Sequence, residues 1–160
     1  MSRLLWLILL IVWILFGSLC CWKKVCGSGG AVGAGDSCSI WKLEDGNRFS
    51  HEANANVKFL KSSDDYISET EVDEALTAVA NYLKTNTGRI LTIVGYYAND
   101  ERSSDSPTNN LGVARAEDLK QYLIDAGVGT NQLRTAGVEY NENCYDGNTL
   151  QRGARFMFGS

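Results

Sequence analysis

Ile90-Leu91-Thr92-Ile93-Val94-Gly95-Tyr96-Tyr97 leads through a polar run into Leu111-Gly112-Val113-Ala114-Arg115-Ala116, and this stretch decides how the chain folds. The first eight residues are β-branched, aliphatic and aromatic, the types that pack on a pleated surface, and Gly88 precedes them; they read as a buried strand. The run from Asn99 to Asn109 is polar, holds the only proline of the chain and has no face to bury, so it reads as an exposed loop. Beyond it Ala116, Leu119, Leu123 and Ala126 recur at three- and four-residue spacing, on one face of a helix that Gly127 can close in a left-handed conformation. Arg115 falls in the first turns of that helix, facing the loop.

Outward from this unit the pattern repeats. Between Ala53 and Lys61, Ala55, Val57 and Phe59 alternate with Asn54, Asn56 and Lys58, the period of a strand. Ser68 with Glu71 has the spacing of a capping box, and Val72, Leu76, Val79 and Leu83 form a helical stripe behind it. Leu133 to Tyr140 and Ala154 to Phe158 read as further strands, separated by a polar turn from Asn141 to Asn148. The order is βαβαββ, which predicts an α+β domain: a mixed sheet with both helices on one face.

The N-terminal part differs in kind. Residues 4–22 are almost continuously apolar, and 19 residues at ~1.5 Å each span roughly 28 Å, enough for a single transmembrane helix. A cleaved signal peptide is the competing reading; its apolar region is usually about 7 to 15 residues, shorter than this one. Residues 27–37 are glycine-rich and read as a flexible tether. The expected organisation is a membrane anchor over 1–26, a linker over 27–37 and a globular domain over 38–160. From Asp36 onward 12 basic residues face 19 acidic ones, a formal charge of −7 that disfavours nucleic acid as a partner.

Little in the sequence suggests catalysis. Asp64, Asp65, Glu69, Glu71, Asp73 and Glu74 crowd a helix start, where the macrodipole stabilises negative charge, and read as a solvated cap. His51 is the only histidine, with no nucleophile motif beside it and no Cys/His cluster for zinc, so neither a metal nor a cofactor is expected. Cys38 and Cys144 flank the globular part; they read either as a disulfide closing most of the domain or as two unrelated thiols.

Residues from about Asn56 to Phe158 resemble the OmpA-like C-terminal domain, found in OmpA proteins, peptidoglycan-associated lipoprotein and MotB. In that family a strand ending in Gly-(His/Tyr)-Thr-Asp leads to Asn-x-x-Leu-Ser-x-x-Arg-Ala. Gly95-Tyr96-Tyr97-Ala98 and Leu111-Gly112-Val113-Ala114-Arg115-Ala116 are the counterparts here. The resemblance implies a non-enzymatic, membrane-anchored protein of the bacterial envelope whose periplasmic domain binds the diaminopimelate of the peptidoglycan stem peptide. It also allows other envelope proteins as partners, and the alternative it leaves is an interaction module that has lost peptidoglycan binding. Arg115 matches the family arginine, which grips a carboxylate bidentately. Ala98 replaces the family aspartate, so Asp100 is the expected substitute. Thr108 falls at the family asparagine with Asn109 beside it, Leu111 is the motif leucine, and Arg155 remains of a terminal arginine pair. These six residues are the candidate ligand set.

Overall fold

Trp41–Asp45 (β1) and Phe49–Ala53 (β2) form an antiparallel hairpin that the sequence reading did not anticipate. In β1 Trp41, Leu43 and Asp45 point inward while Lys42 and Glu44 are exposed, and the turn passes through Gly46 at φ +54°. The structure, a computed structural model, describes residues 38, 40–101, 110–140 and 144–159. The expected anchor and linker lie outside the described residues, and among those described no helix is long and apolar enough to cross a membrane.

The strand expected from Ala53 to Lys61 is divided: Ala53 ends β2, and only Lys58–Leu60 (β3) pairs further on. Tyr66–Ile67 (β4) pairs with β3 and precedes the helix Thr70–Thr85 (α1). The Ser68–Glu71 capping box does not form. The helix starts later, at an extended Glu69 with no side-chain cap, and the Ser68 hydroxyl donates to Asp73 instead. The predicted stripe is correct: Val72, Leu76, Val79 and Leu83 are all buried.

Ile90–Tyr97 (β5) follows, then Leu111–Asp125 (α2), a single 3-10 turn at Thr130–Gln132, and Leu133–Glu139 (β6). The polar turn between the last two predicted strands contains a short hairpin of Tyr145–Asp146 (β7) and Thr149–Leu150 (β8) before Ala154–Gly159 (β9). β5 is the centre of a mixed sheet, parallel to β6 and antiparallel to β9, in the order β6-β5-β9. Two smaller sheets, β1-β2 and β4-β3-β8-β7, accompany it in the α+β domain, so among the described residues the strands form three hydrogen-bonded sheets rather than one.

Both helices and the inward residues of β5, Leu91 and Ile93, share one core with Trp41, Leu43, Val57 and Phe59. Fully burying side chains of this size contributes about 1.5–3 kcal/mol each. The hairpin docks through rings: Trp41 meets Phe156 edge-on at 4.8 Å, and Phe49 stacks on Tyr82 at 4.7 Å. Asp45, 8% exposed, accepts from Arg89 Nε at 2.7 Å, from Arg89 Nη2 and from the Tyr82 hydroxyl. Gln132 donates its side-chain amide to the carbonyls of Leu83, Asn86 and Arg89, which closes the end of α1. Cys38 and Cys144 are joined as a disulfide with Cα atoms 6.0 Å apart.

Candidate functional site

Three glycines set where α2 lies. A Cβ on Gly95 of β5 would stand 2.0 Å from the Gly112 carbonyl oxygen, and one on Gly137 of β6 would stand 2.5 Å from the Val113 nitrogen. Backbone therefore meets backbone, which only glycine permits. Asn110 caps the helix, its Oδ1 accepting from the Val113 N–H at 3.1 Å. Together these contacts bring the first turn of α2 against the end of β5, and Arg115 points beneath that strand end.

Arg115 is fully buried. Its Nε donates to Ser63 O at 2.8 Å, Nη1 to Tyr96 O at 2.7 Å and to Glu101 Oε2 at 3.2 Å, and Nη2 to Leu60 O at 3.1 Å and to Glu101 Oε1 at 2.7 Å. A guanidinium has five N–H donors, and all five are used. The Leu60 and Ser63 carbonyls come from a tight turn in which Ser62 takes φ +60°, a conformation unusual for a non-glycine residue. The Phe59 ring lies under the guanidinium, 4.9 Å from its centre.

Glu101 is paired as completely. Beyond the two bonds from Arg115, its Oε1 accepts from the Ser62 N–H at 3.0 Å and its Oε2 from the Ala98 N–H at 2.7 Å. Neither side chain of the pair is exposed. Burial by itself would raise the Glu101 pKa, but the Arg115 fork and the two backbone N–H groups outweigh it and hold the carboxyl down at about 2. The Tyr145 hydroxyl is enclosed near this carboxylate without completing a hydrogen bond, and burial with the adjacent negative charge pushes its pKa up.

The expected ligand set is dispersed. Asp100 does not face Arg115: it pairs with Lys61 at 2.7 Å on the exposed surface, and the acid against the arginine is its neighbour Glu101. The reason is geometric, since the Ala98–Glu101 turn, closed by Glu101 N–H to Ala98 O at 3.0 Å, directs residue 101 inward. Leu111 is 2% exposed, part of the packing rather than of a surface. Arg155 is exposed on β9, where it lines an open depression of about 450 Å³ with Trp41, Lys42, Asn56 and Arg152 and takes no part in the Arg115 network. Thr108 and Asn109 lie outside the described residues. Sequence reasoning overlooked Glu101; the available signal was an acid within one turn of Ala98 and one methylene longer than aspartate. Among the described residues no group of His, Cys, Asp or Glu could hold a metal ion.

The strand, loop and helix that carry Arg115 fall within residues 61–155, which match the sequence model of the OmpA family. The chain belongs to the OmpA family. Peptidoglycan-associated lipoprotein of Legionella pneumophila is 32% identical over 108 residues, 68% of this chain and 60% of that protein. The chain thus spans about 60% of the length of this curated relative. Among solved structures, the peptidoglycan-associated lipoprotein from Burkholderia pseudomallei aligns with a TM-score of 0.50 at 23% identity, over 64% of this chain and 88% of that one; the likeness is one of fold. The periplasmic domain of Helicobacter pylori MotB aligns with a TM-score of 0.49 at 15% identity, over 74% of this chain and 79% of that chain. In this OmpA-family domain the motif arginine is thus an interior residue bound to an acid of its own chain.

Proposed function

We propose that this chain is a non-enzymatic protein of the bacterial envelope, anchored by residues 4–22, whose OmpA-family domain sits in the periplasm and binds peptidoglycan non-covalently. The observation that carries the reading is the fork of Arg115 closed on a carboxylate, with the guanidinium fixed from behind by three backbone carbonyls. A site built this way recognises a carboxylate by shape and charge, and the diaminopimelate of a stem peptide presents one. The 32% identity to a protein named peptidoglycan-associated lipoprotein supports the same ligand.

A second reading has its own support. Because Arg115 and Glu101 satisfy each other out of contact with solvent, the domain can also serve as an assembly module for other envelope proteins without touching the wall. Co-sedimentation of the full chain, in detergent, with purified sacculi separates the two. Retention in the pellet, reduced by added meso-diaminopimelate, is the expected result. Complete recovery in the supernatant would favour the assembly module.

A further inference from the structure

The carboxylate that Arg115 holds belongs to the protein itself, and the pair is complete: five donors of the arginine are taken, and both oxygens of Glu101 accept a backbone N–H as well. No donor remains for a second carboxylate. We propose that Glu101 is a resident ligand of Arg115, so that the arginine site is closed in the free protein and an incoming carboxylate enters only by displacing Glu101. This rests on the peptidoglycan reading above and adds to it the residue that decides what the site accepts and how readily.

The surroundings favour exchange over destruction of the site. Three of the five bonds of Arg115 go to the carbonyls of Leu60, Ser63 and Tyr96, and these hold the guanidinium in place whichever carboxylate fills the fork. Glu101, by contrast, is delivered by a single turn from Ala98 to Glu101. The outer tie of that turn is the ion pair of Asp100 with Lys61, whose side chains are 61% and 37% exposed; pairs this open to solvent hold weakly. Opening the turn would withdraw Glu101 and free the N–H groups of Ser62 and Ala98. Only another carboxylate restores both the charge and the bidentate bonds that Arg115 loses, so an amide or an ammonium group is refused. Ala98, where the family has aspartate, leaves Glu101 as the acid that holds this site.

An apparent affinity is weakened by the fraction of molecules that are open, so a site closed nine times in ten or more costs at least tenfold. The test uses the full chain in detergent, with meso-diaminopimelate as the probe followed by calorimetry. Glu101→Gln keeps the shape but removes the charge, and it should bind at least tenfold more tightly than the wild type. Wild-type protein that binds the probe as tightly as Glu101→Gln, or more tightly, overturns the proposal and leaves the peptidoglycan reading intact. Should the variant not fold, amide hydrogen exchange on the wild type decides. The Glu101 N–H, which closes the turn onto Ala98 O, should exchange faster at saturating probe while those inside β5 do not change. Continued protection of the Glu101 N–H at saturation overturns the proposal. Failure of the wild type to bind either probe or sacculi overturns this inference and the reading beneath it together.

Discussion

Gly112→Ala sets two effects of opposite sign against each other. In an exposed helix interior, replacing glycine by alanine stabilises by about 1 kcal/mol. At position 112 the new Cβ would lie 2.5 Å from the Gly95 carbonyl oxygen, 2.8 Å from the Gly137 Cα and 2.9 Å from the Tyr97 ring. Two of these three atoms are backbone of β5 and β6, so no rotamer change relieves them, and α2 must withdraw from the sheet by some tenths of an ångström or more. Overpacking of this kind costs typically 1–3 kcal/mol, and withdrawal also stretches the bond from Arg115, one helical turn on, to Tyr96 O. A net loss of about 2 kcal/mol is expected. In urea, with a slope of about 1–2 kcal/mol per M for a domain this size, the midpoint should fall by about 1 M or more. Gly88→Ala, where an added Cβ meets nothing within 4 Å, is the control and should stay within about 0.5 kcal/mol of the wild type. A midpoint for Gly112→Ala equal to or above that of the wild type would refute the close backbone contact and, with it, the placement of Arg115.

The pH dependence of stability should carry the mark of Glu101. Its carboxyl is held at about 2 in the folded state against an ordinary value near 4.5, so the unfolded chain binds more protons in that window, and about 3 kcal/mol present above pH ~4.5 is lost as pH falls toward 2. Urea midpoints of the wild type and Glu101→Gln, compared across this range, should converge on acidification; a gap that does not narrow contradicts the assignment. Reduction of the Cys38–Cys144 bridge, whose partners are 106 residues apart, should lower stability by roughly 2–5 kcal/mol, read as a drop in melting temperature with reductant that Cys144→Ser reproduces. Asp45→Ala leaves Arg89 and the Tyr82 hydroxyl without their shared acceptor and should cost about 3 kcal/mol, with protection of the β1–β2 hairpin amides lost first in hydrogen exchange.

Much of the fold was legible because its longest segments obey one period. β5 and both helices have enough turns or residues for the pattern to be unambiguous, and Gly127, at φ +92°, ends α2 as the sequence implied. The β1–β2 hairpin escaped notice although Asp45-Gly46 is a turn signal and Trp41, Leu43 and Asp45 alternate; it is brief, lies beside the glycine-rich segment and gains its stability from distant rings. The two-residue strands β4, β7 and β8 exist only through pairing with β3 and with each other, which no local window reports. The site was half legible. The motif supplied Arg115, but a helical arginine beside a polar loop reads as exposed, and its burial depends on Glu101, fourteen residues away, and on the Leu60–Ser63 turn, more than fifty away. Asp100 was chosen by its proximity to the strand end, whereas the direction of the intervening turn decides which acid points inward, and that acid is Glu101.

Under the proposed peptidoglycan reading, Arg115 is the group that takes the carboxylate of the ligand. Its Nε–H donates to Ser63 O in a fully buried setting and should give a sharp, slowly exchanging resonance in an arginine-selective NMR spectrum. On titration of the full chain with a diaminopimelate-containing muropeptide, this resonance should shift and saturate with the same midpoint as the retention on sacculi. A resonance that stays in place while the protein still binds sacculi would show that the wall is recognised elsewhere and that Arg115 takes no part in it.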